Sequence, residues 1–253
     1  MAGHSHWAGI KHKKALIDAK RGKLWSKLSK AIIVAARIGG SDPDMNPRLR
    51  LAIDDAKAVS MPKENIQRAV KRGTGEIEGA APEETLYEGY GPGGVAILCD
   101  VVTDNRNRTA SEIRKVFELS DGKLGSAGCV AWMFEKKGLF LIPADKADED
   151  TLMELALEAG ADDVRRAGDK FEVLCGTEVY QAVSQALAKA GIPPEVSEIS
   201  RIPKNTVDVS DPDAARKILK LLNRLDDHDD VQHVYANFEV SDSALMTYEA
   251  ANA

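Results

Sequence analysis

The hydrophobic pattern of the first seventy residues predicts three short helices. Between Leu16 and Ile38 apolar residues recur at helical spacing, and they define one face. That face carries Leu24, Leu28, Ala31, Ala35 and Ile38. Gly39 and Gly40 follow this face directly and are typical of a helix end. The first predicted helix therefore stops at residue 38.

Two further helices are predicted before residue 74. Asn46 followed by Pro47 is a helix-start signal, since Asn caps free N–H groups and Pro fits the first helical position. This second helix runs to about Val59. The third begins around Pro62 and ends at Gly73. Their inward faces carry Leu49, Ile53 and Ala56 in the second helix, and Ile66, Ala69 and Val70 in the third.

Residues 73–84, GTGEIEGAAPEE, are rich in Gly and Glu and are typical of a linker. Beyond them the hydrophobic period alternates between strand and helix. Strands are predicted at 86–89, 95–102, 129–134, 138–142, 163–166, 170–174, 195–202, 206–209 and 231–238. Helices are predicted at 108–119, 149–158, 177–190 and 212–225. Gly91 to Gly94 is interpreted as a hairpin connection rather than a phosphate-binding loop, because the GxxxxGK[ST] pattern is missing.

The order of these elements predicts an α+β multidomain protein. Residues 138–202 give β-α-β-β-α-β, the ferredoxin-like plan. The pieces 95–134 and 206–238 are each β-α-β and are expected to form a second such sheet, into which the first is inserted. The predicted domains are a basic helical domain (1–75), a discontinuous α/β domain (76–136 and 204–240), an inserted ferredoxin-like domain (137–203) and a C-terminal tail (241–253).

Charge is segregated along the chain. The protein carries 34 Lys and Arg against 40 Asp and Glu, a net charge of −6. Residues 1–72 hold 16 Lys and Arg against 6 Asp and Glu, whereas residues 73–253 hold 18 against 34. A basic end on an acidic protein indicates a polyanionic partner that contacts one domain.

The basic residues of the first helix form a stripe. Lys20, Lys23, Lys27 and Lys30 recur at steps of three and four, which places them beside the apolar face. Most such stripes are solvated helix faces. Here the acidic residues that would pair at i+4 are almost absent between Ala19 and Arg37. Lysines on one side of a helix can neutralise phosphates, which favours nucleic-acid binding.

A second candidate surface is Thr103–Thr109, TDNRNRT, between a predicted strand and a predicted helix. Asn, Asp and Thr at such a position cap the helix. Capping needs one or two of these residues, so Arg106 and Arg108 are also candidates for anion or base contacts.

The evidence for a catalytic site or a metal site is weaker than the evidence for nucleic-acid binding. His4, His6 and His12 lack the further ligands that zinc normally requires, so no metal site and no cofactor is predicted. The carboxylate runs Asp145–Asp150 and Asp226–Asp230 are interpreted as solvated faces and turns. The sequence shows no catalytic constellation, and a non-enzymatic protein is predicted.

The sequence resembles the YebC/PmpR family in long, ordered blocks. They are MAGHSHWAGIKHKKALIDAKRGKLWSKL, AARIGGSDPDMNPRLRLAIDDAKAVSMPKENIQRAVKRGTGE, YEGYGPGGVAILCDVVTDNRNRTASEIRKVF and GSAGCVAWMFEKKG. The family pattern usually has Lys in place of His6, Gly or Asn in place of Asp121, and Ser in place of Cys129. Beyond about Lys136 the resemblance is looser.

The resemblance implies a helical N-terminal domain and two α/β domains. Bacterial members are generally described as cytoplasmic DNA-binding transcriptional regulators. Mitochondrial relatives resemble translational activators, and some bacterial relatives act on the ribosome. The family name therefore leaves open whether the polyanion is DNA or RNA.

We predict a cytoplasmic, monomeric regulator of gene expression that binds nucleic acid and no membrane. The alternatives are a ribosome-associated translation activator that binds ribosomal RNA, and a small-molecule-sensing or protein-interaction module. The absence of a clear helix-turn-helix, zinc finger or dimer favours backbone recognition over sequence-specific DNA reading. The predicted contact residues are Lys11, Lys13, Lys14, Lys20, Arg21, Lys23, Lys27, Lys30, Arg37, Arg106 and Arg108.

Overall fold

The computed structural model describes residues 21–79 and 82–240, within which the chain forms seven α-helices and ten β-strands. The first three helices are α1 (Arg21–Gly39), α2 (Pro47–Ala58) and α3 (Lys63–Gly73). Asn46 caps α2 by accepting the N–H of Leu49, and its amide donates to the Ala35 and Gly40 carbonyls. One buried side chain therefore starts the second helix and fixes the end of the first, which confirms the predicted start signal.

The apolar cluster of the three helices includes Leu28, Ala31 and Ala35 of the predicted α1 face, but not Ile38. Ile32, Ala35 and Ala36 are buried against α2 and α3, whereas Ile38 is 67% exposed. The prediction that Ile38 belongs to the apolar face is wrong, because the buried face runs through residues 32–36. The inward residues predicted for α2 and α3 all belong to the cluster, with Ile53 and Val70 partly buried.

The first sheet has the strand order β3-β1-β2-β9 and is antiparallel throughout. Its strands are β1 (Glu83–Tyr90), β2 (Ala96–Thr103), β3 (Lys123–Leu124) and β9 (Val231–Ala236). Helices α4 (Arg106–Glu118) and α7 (Pro212–Asp226) cover one face. Alternate residues of β2 enter the core with these helices, while Ala96 and Leu98 point to a second cluster with Phe134.

The second sheet has the order β5-β6-β4-β7 and is also antiparallel. It contains β4 (Phe134–Pro143), β5 (Ala161–Ala167), β6 (Lys170–Cys175) and β7 (Val196–Pro203), with α5 (Glu149–Glu158) and α6 (Tyr180–Lys189) between strands. This order is that of the ferredoxin-like plan, as predicted. In sequence the whole sheet lies between β3 and the elements α7 and β9 that complete the first sheet. The predicted domain boundaries themselves stay a prediction.

Two details of the first sheet differ from expectation. The sheet was expected from residues 95–134 and 206–238, but β1 belongs to it and pairs with β2 across the predicted hairpin, whereas β8 (Val207–Val209) pairs in parallel with β10 (Phe238–Val240) in a separate ribbon. The strand predicted at 129–134 is wrong, because Ala131–Met133 is a short 3₁₀ turn. The buried Glu88 carboxylate accepts the N–H groups of Gly128, Val130 and Ala131, which turns this segment away from a strand.

Within the part of the chain that the structure describes, no helix is both long and apolar enough to cross a lipid bilayer.

Candidate nucleic-acid interface

The predicted contact residues divide into those the structure describes and those it does not. Lys11, Lys13, Lys14 and Lys20 lie outside the described residues, as does the side chain of Arg21. Lys23, Lys27 and Lys30 lie on α1, Arg37 near its end, and Arg106 and Arg108 in the first turn of α4. We call Lys23, Lys27 and Lys30 the lysine face.

The lysine face contacts the turn between α7 and β9, residues 226–230, which we call the acidic turn. Lys23 Nζ lies 3.2 Å from the Asp227 carbonyl and 3.8 Å from the Asp229 carboxylate. Lys27 Nζ donates to the Asp226 carbonyl at 2.5 Å. The counter-charges that were absent along the helix are therefore supplied by residues about two hundred positions away.

Asp230 is the centre of this contact. Its carboxylate is almost fully buried, and Oδ1 accepts from Lys30 Nζ at 2.5 Å. The other oxygen, Oδ2, accepts from Arg108 at 3.0 Å, from the Thr109 hydroxyl at 2.6 Å and from the Thr103 hydroxyl at 3.2 Å. The helix stripe and the TDNRNRT segment, predicted separately, thus meet on one carboxylate.

Charge and hydrogen bonds hold Asp230 ionised. Burial raises the pKa of its carboxyl, but the hydrogen bonds from Lys30, Thr109 and Arg108 outweigh burial. The pKa of Asp230 consequently lies well below its ordinary value. The prediction that the whole run Asp226–Asp230 is a solvated turn is wrong for Asp230, because this carboxylate fills a buried site between two cations.

The two arginines of α4 have different surroundings. Asn105 caps the helix by accepting the N–H of Arg108, so the predicted capping role is confirmed. Because this cap starts α4 at Arg106, both arginines fall in its first turn. Arg108 also pairs with Asp104 at 3.0 Å. Arg106 points toward β1 and pairs with Glu83 at 2.9 Å, and about half of its side chain is exposed.

Arg37 is not part of this group. Its guanidinium donates to the Pro82 carbonyl at 3.4 Å, at the end of the linker that follows α3. The structure therefore brings Lys23, Lys27, Lys30 and Arg108 together and leaves Arg37 and Arg106 apart from the acidic turn.

Glu112, His228 and Asp230 place one ligand atom each within 4.8 Å of one another. His228 Nδ1 accepts the Asp230 N–H, which leaves Nε2 as the donor to Glu112 at 3.0 Å. Both ring nitrogens are thus engaged, and Lys30 and Arg108 already neutralise Asp230. This donor set fits a hydrogen-bonded turn rather than a divalent cation.

The sequence reasoning missed the acidic turn as the partner of the lysine face. A signal was present: five residues, DDHDD, concentrate four carboxylates in the acidic part of the chain. Nothing in their spacing indicates which basic segment they contact, because that depends on how the three helices lie against the first sheet.

The fold and this interface define a multidomain α+β protein in which a basic three-helix unit contacts an acidic turn of a sheet domain. The chain belongs to the TACO1/YebC family: residues 5–76 match the TACO1/YebC N-terminal domain, and residues 82–238 match the TACO1/YebC second and third domain.

Curated relatives and a solved structure agree with this membership. A "probable transcriptional regulatory protein" of Desulfatibacillum aliphaticivorans is 56% identical over 245 residues, covering 97% of this chain and 99% of the relative. One from Geobacter sulfurreducens is 55% identical over 241 residues, covering 95% and 97%. The crystal structure of a conserved hypothetical protein from Aquifex aeolicus is similar with a TM-score of 0.84 and 51% identity, covering 94% of this chain and 98% of that one.

Proposed function

We propose that this protein is a non-enzymatic regulator of gene expression that acts in the cytoplasm by binding nucleic acid through its basic N-terminal segment. The observation that carries the proposal is the charge of residues 1–72, with 16 Lys and Arg against 6 Asp and Glu in an otherwise acidic chain. Such a segment binds the phosphate backbone with an affinity that depends on salt. The names of the curated relatives support regulation of transcription as the process.

The contact is proposed to use the arm lysines and the lysine face together. Lys11, Lys13, Lys14 and Lys20 precede the lysine face in the sequence, and Lys20 continues its spacing. These residues contact phosphates, and such contacts carry little information about the base sequence. The acidic sheet domains repel nucleic acid and so confine it to the N-terminal segment.

Fluorescence anisotropy with a labelled duplex DNA and a labelled single-stranded RNA tests the proposal. In the arm variant, Lys11, Lys13, Lys14 and Lys20 are all replaced by Glu. We expect it to lose binding at low salt, while its helical circular dichroism is retained. The wild-type affinity should fall steeply with salt, with a logarithmic slope of about −0.7 to −0.9 for each phosphate contacted.

A matched control distinguishes a local contact of the arm lysines from a general effect of the protein's net charge. Replacing Lys115, Lys136, Lys146 and Lys189 by Glu changes the net charge equally at four exposed sites in the sheet domains. This control should lose much less affinity than the arm variant. Equal losses in the two variants, or wild-type protein that binds neither probe at low salt, would contradict the proposal.

Ribosomal RNA is the second candidate target. Lysines that read only the backbone suit a folded RNA, recognised by shape, as well as a DNA duplex. Sedimentation of the protein with ribosomes from cell extract, with and without nuclease, distinguishes the two. Cosedimentation that nuclease abolishes would favour RNA, and preference for duplex DNA in competition binding would favour DNA.

A further inference from the structure

The three-helix unit meets the rest of the chain through polar contacts. Its apolar cluster is made only of residues between Trp25 and Val70, and no apolar cluster of the described ranges 21–79 and 82–240 spans both parts. The described contacts across this boundary include those of the lysine face with the acidic turn, an ion pair of Arg48 with Glu84, and the Arg37 contact with Pro82. Interfaces of this kind open at lower cost than a shared hydrophobic core.

Several of these contacts are individually weak. The side chains of Lys23 and Asp229 are 57% and 66% exposed, and exposed ion pairs contribute little. The same boundary also brings two like charges together. Burial raises the pKa of Asp55 on α2 to about 6, and the negative charge of Glu198 on β7 is the second largest cause of this increase. Most of the described contacts across this boundary are those of the lysine face with the acidic turn.

The acidic turn offers the lysines the chemistry that a nucleic-acid backbone offers. Lys23 Nζ contacts a carbonyl and a carboxylate oxygen, and Lys30 Nζ contacts the Asp229 carbonyl at 2.9 Å and the Asp230 carboxylate. Phosphate oxygens would occupy the same positions around the same ammonium groups. A phosphate backbone and the acidic turn thus compete for one set of cations.

We propose that the acidic turn is an intramolecular competitor: it covers the lysine face in the absence of nucleic acid, and nucleic acid must displace it to bind there. This inference rests on the proposed function and describes the regulation of the same site. In this proposal the arm, Lys11, Lys13, Lys14 and Lys20, binds nucleic acid before the turn is released. Release of the turn then adds the lysine face to the bound surface.

Opening does not leave an isolated buried charge. When Lys30 departs, the Asp230 carboxylate keeps Arg108, Thr109 and Thr103 as partners on its other oxygen. Residues 74–82 join α3 to β1 and include two glycines, Gly75 and Gly79. Both features lower the cost of separating the lysine face from the acidic turn.

The test uses full-length protein and the labelled RNA and DNA probes at several salt concentrations. The release variant combines Asp227→Asn with Asp229→Asn, two exposed positions that leave the Asp230 network intact. We expect it to bind about two- to fivefold more tightly than wild type, because an exposed ion pair such as Lys23 with Asp229 contributes no more than that. A second variant, Asp230→Asn, should also bind more tightly provided that circular dichroism shows it folded.

The matched control combines Asp145→Asn with Asp150→Asn, which changes the net charge equally at exposed positions of the second sheet domain. It should bind less than twofold more tightly than wild type. Hydrogen exchange gives an independent readout, since amides of residues 226–230 should exchange faster when RNA is bound.

The outcomes distinguish the two proposals. If wild type binds and the release variant gains no more than the control, the competitor is contradicted while the proposed function stands. Unchanged exchange of residues 226–230 on binding contradicts it equally. If no variant binds either probe, the proposed function fails and this inference fails with it.

Discussion

Lys30 and Asp230 join the first described helix to the far end of the chain: Lys30 Nζ lies 2.5 Å from Asp230 Oδ1, across 200 residues of sequence. The carboxylate is almost fully buried, and Arg108 binds its other oxygen at 3.0 Å. The Asp230 carboxylate therefore binds both α1, through Lys30, and the first turn of α4, through Arg108.

Replacing Asp230 by Ala should destabilise the protein by about 3 kcal/mol, because Lys30, Arg108 and two threonine hydroxyls lose a buried anion. Asp229→Ala is the control, since its side chain is exposed, and we expect a change within about 0.5 kcal/mol. Urea unfolding at neutral pH measures both. Equal losses in the two variants would mean that the buried network contributes nothing specific.

The same carboxylate predicts a pH dependence. Its pKa is lower in the folded protein than in the unfolded chain, so its contribution is complete above the unfolded value of about 3.9. That contribution is lost as the pH falls through this value toward the folded pKa. Urea unfolding between neutral and acidic pH should show a shallower fall for Asp230→Ala than for wild type. Parallel curves would contradict the assignment.

Glu88→Gln should destabilise the segment that follows β3. The Glu88 carboxylate accepts three backbone N–H groups, at 2.6 to 2.8 Å. Burial raises the pKa of Glu88, but these hydrogen bonds outweigh it and lower the pKa overall. The amide has one acceptor oxygen, so we expect a loss of about 2 kcal/mol. Thermal unfolding measures this, with Glu84→Gln on the exposed end of β1 as a control that changes little.

Gly73→Ala should destabilise the three-helix unit. A Cβ at Gly73 would lie 2.5 Å from the Ile33 carbonyl oxygen and 2.7 Å from the Ala36 Cβ, so α1 and α3 must separate. We expect a loss of roughly 2 kcal/mol. Gly22→Ala is the opposite control, because its Cβ would meet nothing within 4 Å and Ala favours the helix by up to about 1 kcal/mol. Calorimetry showing the same sign for both would contradict this packing.

Arg201→Met should weaken the contact between the two sheets. Arg201 on β7 pairs with Asp100 on β2 at 3.1 Å, and the Tyr235 hydroxyl donates to the same carboxylate at 3.3 Å. Since the pair is largely buried, we expect a loss of about 1 to 3 kcal/mol in chemical unfolding. Arg216→Met removes an exposed pair with Asp213 and should cost less than about 0.5 kcal/mol.

Much of the fold followed from local patterns. Helix α5 was predicted at the bounds it has, 149–158, and the Asn46 cap works through atoms only three residues away. The ferredoxin-like strand order of the second sheet also followed, since helix and strand periods set the order of elements. The predictions failed where residues far away in the sequence determine the local structure. The segment 129–134 turns because Glu88, about forty residues earlier, binds its N–H groups.

The candidate site shows the same division. The sequence by itself determined that the N-terminal segment is basic, that its lysines fall on one side of a helix, and that polar residues between Thr103 and Thr109 cap the helix that follows. Only the tertiary structure decided that this lysine face meets the acidic turn and that Asp230 is buried between Lys30 and Arg108. The physical reason is that periodicity and capping act within a few residues, whereas the partner of a charge depends on which distant surfaces the packed units bring together.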